Sequence, residues 1–563
     1  MFKTIRSVSL IFFWLYAASS LLYAREIYVS SMQALQAAIN SAVAGDTLIL
    51  ANGTYLNNSL NIGKSNITVR SATPGGVFLN GSQGVYISGD YVTFSGFQFT
   101  SGDIGSGYLI IVAGNHNVLT QLNFRGYYAK KYIQIDAGTR YNEIEYCNIE
   151  NKPQEAVTGC TIQINTSPTV PGYHKIRYCS FRNFPGPGGD YGNEPIRVGL
   201  GAERDNVSRT IIEFCYFENV GSGDGESISI KCCENIVRYC TFNNNPDGML
   251  VFRNGDRDIA YSNFFLNGSG GIRVKEANDI YCYNNYFETA GAFGSKEAIK
   301  IEYVSPFCNN VNFLFNTFVN SGDIDLGGSG PANVRFTNNI FVKSSGNIFM
   351  SPNGQTSWAG NIYKGNIGIP ISSGMTNIDP DLSLNTDGYY GLTSSSPAID
   401  AADSNYLPIY NIQELNDDPA ILFDISGQSR PDGKLLKDVG CDEYTTGVIT
   451  NKPLKLSDVG PVYLRPTMVE SELASSNSGY WIKNYPNPFN TTTKIVYSIP
   501  KSSNVLIKVY DHLGAEVETL LNESKTAGTY EIVFTGTFLP SGVYYCSIIG
   551  DNYHLTKPMV LIK

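Results

Sequence analysis

Five cationic residues recur along the middle of the chain: Arg197, Lys231, Arg253, Arg273 and Lys300, at steps of 34, 22, 20 and 27 residues. Each lies in a strand-like stretch with apolar alternates, as in Ile196-Arg197-Val198, Ile228-Ser229-Ile230-Lys231, Leu250-Val251-Phe252-Arg253, Ile272-Arg273-Val274 and Ile299-Lys300-Ile301. Strand neighbours alternate between core and solvent, so apolar residues facing in place these cations facing out. Stacked in register, the five would form one vertical stripe, a rigid basic track suited to an extended polyanion. Asn193, Asp224 and Glu226 stand just upstream, four residues before Arg197 and seven and five before Lys231. On adjacent coils the three would gather at one strand end, as hard oxygen ligands of the kind Ca²⁺ takes. Glu226 is out of phase with Lys231 under strict alternation, which calls for a bulge or turn near Gly225. Outward cations and carboxylates also occur on any solvated face, and residue types alone leave that alternative open.

A repeat supplies the scaffold. Cys or Asn, any residue, then a bulky apolar residue recurs at Cys147-Asn148-Ile149, Cys179-Ser180-Phe181, Cys215-Tyr216-Phe217, Cys240-Thr241-Phe242, Asn263-Phe264-Phe265, Asn285-Tyr286-Phe287, Asn316-Thr317-Phe318 and Asn339-Ile340-Phe341. The shortest steps are 22 to 25 residues, the length of one solenoid coil, with longer steps carrying loops. The expected fold is all-β, a right-handed parallel β-helix followed by a β-sandwich. The 11 cysteines then read as an internal ladder of buried thiols rather than disulfides, and neighbouring Cys232 and Cys233 should point to opposite faces. Met32 to Asn40 reads as an amphipathic helix capping the open end of the solenoid. Ser396-Pro397-Ala398-Ile399-Asp400 and Asp438 to Tyr444 read as closing segments.

Composition agrees with many short strands and turns: 56 Gly, 37 Tyr, 29 Phe and only 16% charged residues. The net charge of −10 excludes whole-molecule attraction of polyanions, so a polyanion site must be a local patch, and no nucleic acid is expected as a partner. Residues 1–24 read as a signal peptide, with Lys3 and Arg6 before an apolar stretch and small residues up to Ala24. No later segment is apolar enough to span a membrane. The expected layout is a β-helix domain over 25–450, a linker over 451–479 and a β-sandwich over 480–563.

Beyond these readings, the chain resembles polysaccharide lyase family 6, the chondroitinase B and alginate lyase family. The resemblance rests on Glu226-Ser-Ile-Ser-Ile-Lys231-Cys-Cys-Glu-Asn235, Phe252-Arg253-Asn254-Gly255-Asp256, Gly270-Gly271-Ile272-Arg273-Val274 and Asn284-Asn285-Tyr286-Phe287-Glu288. Asn52-Gly53-Thr54-Tyr55 and Pro74-Gly75-Gly76-Val77 add to it. It implies that Lys231 removes the C5 proton of a uronate, that Arg253 acts toward the leaving oxygen, and that Asn193, Asp224 and Glu226 hold Ca²⁺. Arg197, Arg273 and Lys300 are the expected substrate-binding cations. A lysine titrating near its reference value of about 10.4 is a poor base, so nearby positive charge should favour its neutral form. Guanidinium stays protonated, so Arg253 reads better as a stabiliser of developing charge than as an acid. Two departures stand out: Asp224 where the family often has Glu, and Asn254 where it often has His. His116 and His174 lie in no recognisable motif, so a histidine-based mechanism is not expected.

Asn484-Tyr485-Pro486-Asn487-Pro488-Phe489 and the alternating strands after it resemble the C-terminal sorting domain of the type IX secretion system. That implies export to the cell surface or medium, with the secretion machinery as a partner. The leading expectation is an alginate lyase acting by calcium-assisted β-elimination. Dermatan sulfate is the alternative substrate. A non-catalytic glycan-binding β-helix and a uronate epimerase are the competing classes.

Overall fold

The computed structural model describes residues 24–465 and 481–561, apart from 154–158, 185–192, 222–225, 246–247, 269, 289–296, 305–307, 329, 331, 372, 413–414, 416–417, 432–435, 446, 448, 486, 488, 500, 512–514 and 551–552. The expected leader and Asp224 lie outside the described residues. The chain divides into two compact units, Met1–Arg465 and Pro466–Lys563.

The first unit is a parallel β-solenoid. Among the described residues, three parallel sheets of 14, 12 and 14 strands run its length, each strand pairing with its counterpart one coil away. The repeat motif builds the interior. Phe181, Phe217, Phe242, Phe265, Phe287, Phe318 and Phe341 form one continuous stack with ring centroids 4.5–5.0 Å apart. That spacing is the distance between hydrogen-bonded strands. All described cysteines are free and buried. Cys147, Cys179, Cys215 and Cys240 form the expected thiol ladder, each lying near a backbone carbonyl of the preceding coil. Asparagine then takes over: Cys240 N donates to Asn263 Oδ1, and the amides of Asn263, Asn285, Asn316, Asn339 and Asn361 bond in series at 2.9–3.0 Å. Each buried amide is thereby satisfied, which lets polar groups run through an apolar core.

The corner before each thiol holds a bulky residue in the left-handed region, namely Tyr146, Tyr178, Phe214 and Tyr239 with φ of 50–54°. Such a conformation is costly for aromatic residues. Here their rings stack on one another at 4.8–5.0 Å, which offsets the strain.

A helix, Met32–Ser41, closes the first coil. Ser31 caps it by accepting from Ala34 N at 3.1 Å, and Leu35 and Ile39 are buried against the core. At the other end the chain turns back along the solenoid wall. Ala398, Ile409, Ile412, Ile421 and Val439 pack on Tyr261, Tyr283 and Phe315. Arg430, buried over the Phe315 ring, ties this strap through Glu443 Oε2 at 2.8 Å and the Gly440 carbonyl at 2.7 Å. Residues 451–465, read from sequence as the start of a linker, continue the strap. Asn451 is buried, and Val462 N donates to Gln121 Oε1 at 2.7 Å.

The second unit holds antiparallel sheets of three and four strands around a core that includes Ile495, Tyr497, Val505, Ile507, Phe534, Ile548 and Met559. This is a two-sheet β-sandwich.

Candidate active site

The cationic residues lie on the 12-stranded sheet. Its strands pair Ile162 with Ile196, Ile196 with Ile228, Ile228 with Leu250, Leu250 with Ile272 and Ile272 with Ile299. These inward residues fix the register of everything outside.

That register corrects the single stripe. Arg197 stands opposite Ser229, Ser229 opposite Val251, Val251 opposite Arg273 and Arg273 opposite Lys300. Lys231 and Arg253 belong instead to the next outward column, two residues further along. Ile230 pairs with Phe252, so Lys231 and Arg253 follow on adjacent coils, and Arg253 pairs in turn with Lys275. The expected substrate cations Arg197, Arg273 and Lys300 therefore flank the Lys231–Arg253 pair rather than extend it. The sequence carried this signal: steps of 34 and 20 residues each miss a common register by two, one alternation of a strand. Lys275 and Glu302, which closes the same column opposite Lys275, were missed for the same reason.

The expected bulge is present. Glu226 pairs with Met249 and Ile228 with Leu250, so one residue is extra on the Glu226 strand, just past the expected Gly225. Glu226 is thereby buried beside the cations, with Arg253 Nη1 3.7 Å from its Oε1. Neither carboxylate oxygen has a hydrogen-bond partner among the described residues. Burial, reinforced by the neighbouring Glu194 charge, pushes the Glu226 carboxyl up to about 7, while Lys231 and Arg253 pull it down. Glu194, not singled out from sequence, stands two residues ahead of Ile196, as Glu226 does of Ile228. It is buried and pairs with Arg197 Nε at 2.5 Å.

Asn193 sits beside Glu194, and its amide nitrogen is buried without a hydrogen-bond partner among the described residues. A rotated amide presents Oδ1 in the same place. Two carboxylate oxygens and an amide without hydrogen-bond partners among the described residues, with cations on one side, fit a hard cation needing oxygen donors. Among the described residues no three carboxylate, thiol or imidazole side chains converge as a metal site, and Asp224 lies outside them.

Beyond Arg253 the cations are paired. Glu302 accepts from Arg273 Nη2 at 2.7 Å and lies 3.3 Å from Lys275 Nζ and 3.4 Å from Lys300 Nζ. These three cations hold the Glu302 carboxyl below its usual range against the opposing effect of burial. Asn254, at φ 74°, donates from Nδ2 to Glu276 Oε2 at 2.7 Å. His174 is remote from this face; it is buried in the interior and accepts from Asn142 N at 3.2 Å.

A solenoid wall bearing an adjacent lysine and arginine above a buried carboxylate is consistent with a parallel β-helix of the polysaccharide lyase class, and the family match shows that class. The profile of the chondroitinase B family matches residues 29–322, more than half of the chain, and the chain belongs to that family, polysaccharide lyase family 6. Residues 483–563 match the secretion system C-terminal sorting domain. Among solved structures, the chain is similar to the family 6 alginate lyase AlyGC, at 24% identity and TM-score 0.57, covering 69% of this chain and 59% of that one. It thus spans about three fifths of AlyGC. A family 6 alginate lyase in complex with a trisaccharide gives 19% identity and TM-score 0.54 over 66% of this chain and 91% of that one. The family 6 lyase Pedsa3628 from Pseudopedobacter saltans gives 21% and 0.50 over 61% and 94%. At these identities the structural likeness carries the fold. No curated protein matches the chain. The sorting domain marks the protein for export by type IX secretion. Among the described residues no helix is long and apolar enough to cross a membrane.

Proposed function

We propose that this protein cleaves an unsulfated polyuronate, alginate above all, by β-elimination at Lys231 and Arg253. The observation that carries the reading is the shared column: Lys231 and Arg253 project from adjacent coils over the buried Glu226 carboxylate.

In this reading Lys231 Nζ, in its neutral form, takes the C5 proton of a uronate. The electron pair left at C5 forms the C4–C5 double bond as the C4–O bond breaks, and the leaving oxygen takes a proton from water. The Arg253 guanidinium, which cannot give up a proton at working pH, lies beside the charge that develops on the way. Asn193 and Glu226, with Asp224, would hold Ca²⁺, whose charge would pair with the uronate carboxylate and acidify the C5 proton. Arg197 and Arg273 lie to either side of the reacting sugar and orient its neighbours. The knot of Arg273, Lys275 and Lys300 on Glu302, with Glu297 Oε1 a further 3.9 Å from Lys300 Nζ, supports an unsulfated substrate, because two internal carboxylates already take up most of the charge a sulfate would use.

Ultraviolet absorbance tests the reading, since elimination creates a conjugated double bond that neither binding nor epimerisation produces. Alginate, polymannuronate, polyguluronate and dermatan sulfate are each incubated with the protein, with calcium and with a chelator. The expected result is rising absorbance with an unsulfated polyuronate, lost in chelator. Absorbance only with dermatan sulfate would move the substrate to the sulfated class. Binding with no absorbance on any glycan would refute the lyase reading.

A further inference from the structure

Two lysines on the N-terminal side of Arg197 differ from the cations beyond Arg253. Lys131 and Lys152 have no carboxylate partner among the described residues, whereas Arg273, Lys275 and Lys300 all share Glu302. Lys152 follows the strand Asn148–Glu150 and is 1% exposed. Its Nζ donates to the Lys130 carbonyl at 2.9 Å and lies 5.6 Å over the Tyr132 ring. Lys131 is half-buried; its Nζ donates to Gln134 Oε1 at 3.0 Å and lies 4.8 Å over the Tyr108 ring. Burying an ammonium group without a counter-ion costs several kcal/mol. A methionine would fill the Lys152 space without that cost, so packing alone does not account for it.

Their place in the sheet connects them to the active site. Lys131, Cys160, Glu194 and Glu226 each stand two residues ahead of Ile133, Ile162, Ile196 and Ile228, which pair coil to coil. Along this line the oxygen donors at Glu226 and Glu194 give way to the Cys160 thiol and then to an ammonium. Lys131 and Lys152 both feel the charge of Arg197, and Lys152 also feels that of Glu194. Asp136 acts on Lys131 and Glu194 on Lys152 without an ion pair to either among the described residues, so positive charge without a contacting carboxylate lies on the N-terminal side of Lys231, three coils from Glu226.

We propose that Lys131, backed from beneath by Lys152, forms a second carboxylate-binding subsite that holds another uronate of the same chain on the N-terminal side of Lys231. Lys131 makes the contact, and Lys152 supplies buried charge behind it. The glycan then extends toward the N-terminal coils, while Glu302 ends the attractive track in the other direction. The proposal rests on the polyuronate lyase reading and adds to it the direction of the bound chain.

The test compares wild type with Lys131→Ala, Lys152→Met, the double variant and Lys152→Arg. Absorbance rates are measured on polyuronate and on oligouronates of increasing length. The expected result is a KM for polymer raised about tenfold in each single variant and further in the double, with kcat within a factor of two. Lys152→Arg should restore KM, and the effect should vanish on the shortest oligomer cleaved. An unchanged polymer KM in a folded double variant overturns the subsite. Should Lys152→Met fail to fold, Lys131→Ala at its half-exposed position carries the same comparison. If wild type cleaves no polyuronate, the lyase reading fails, and calorimetric binding of an oligouronate decides the subsite separately: weaker binding by the double variant supports it, and equal binding overturns it.

Discussion

Replacing Glu226 by glutamine should stabilise the calcium-free protein while abolishing its response to calcium. Glu226 is buried, and neither of its oxygens accepts a hydrogen bond among the described residues. Burial and the Glu194 charge raise its carboxyl from an ordinary 4.5 to about 7. The folded state thus holds this proton more tightly than the unfolded chain, so stability falls as pH rises through that window and stays low above it. At about 1.4 kcal/mol per pH unit, the ionised carboxylate costs about 3 kcal/mol at pH 8. Glutamine carries no such charge. In chelator at pH 8, Glu226→Gln should therefore melt several degrees above wild type, and the two should converge near pH 4. Calcium at a hundredfold excess over its Kd should stabilise wild type by about 2.7 kcal/mol and leave the variant unmoved. Differential scanning calorimetry at the two pH values, with and without calcium, reads all four outcomes. A variant that melts below wild type in chelator at pH 8 would show that the carboxylate supports the fold rather than waits for a cation.

Other consequences follow from the same geometry. Lys231→Ala should lower kcat/KM on the polyuronate by at least about a thousandfold, with an unchanged melting curve, because the half-buried side chain supports no ion pair among the described residues. Asp258 is fully buried; its Oδ1 accepts from Asn235 N and Nδ2, its Oδ2 has no hydrogen-bond partner among the described residues, and burial holds its carboxyl far above the usual range. Asp258→Asn should therefore keep or raise the melting temperature at pH 7, and a loss of more than about 2 kcal/mol in denaturant titration would contradict a neutral carboxyl there. His174 is depressed by burial from 6.5 to about 4, so the unfolded chain takes up its proton first. Its contribution is present above about 6.5 and is lost as pH falls toward 4, by about 3 kcal/mol in all. His174→Asn, which offers Asn142 N an amide oxygen in place of the imidazole nitrogen, should flatten that part of the pH–stability curve.

The repeat was readable because its chemistry is local. A small polar or thiol side chain followed two residues later by Phe can be recognised within one coil, and the stack of seven phenylalanines and the asparagine chain follow from repetition. The helix at Met32–Ser41 was equally local, fixed by Ser31 and the spacing of Leu35 and Ile39. The strap was not. Arg430 and Asn451 are buried by contacts with residues more than a hundred positions earlier, and no periodicity marks a chain that lies along a wall.

The active site shows where alternation ends as a guide. A period of two states that Arg197, Lys231, Arg253, Arg273 and Lys300 all face out, but it cannot separate one outward column from the next. Only the pairing of inward isoleucines does that: Ile196 to Ile228 is 32 residues and Leu250 to Ile272 is 22, against cation steps of 34 and 20. The mismatch places Lys231 and Arg253 together and sets Arg197 and Arg273 beside them. A lyase needs a base and a charge stabiliser around one sugar with cations for its neighbours, and two columns serve that division better than one row would. The bulge at Glu226 belongs to the same logic. Without the extra residue, strict alternation would take the carboxylate out of reach of Arg253, and the proposed calcium ion would lose its buried carboxylate ligand.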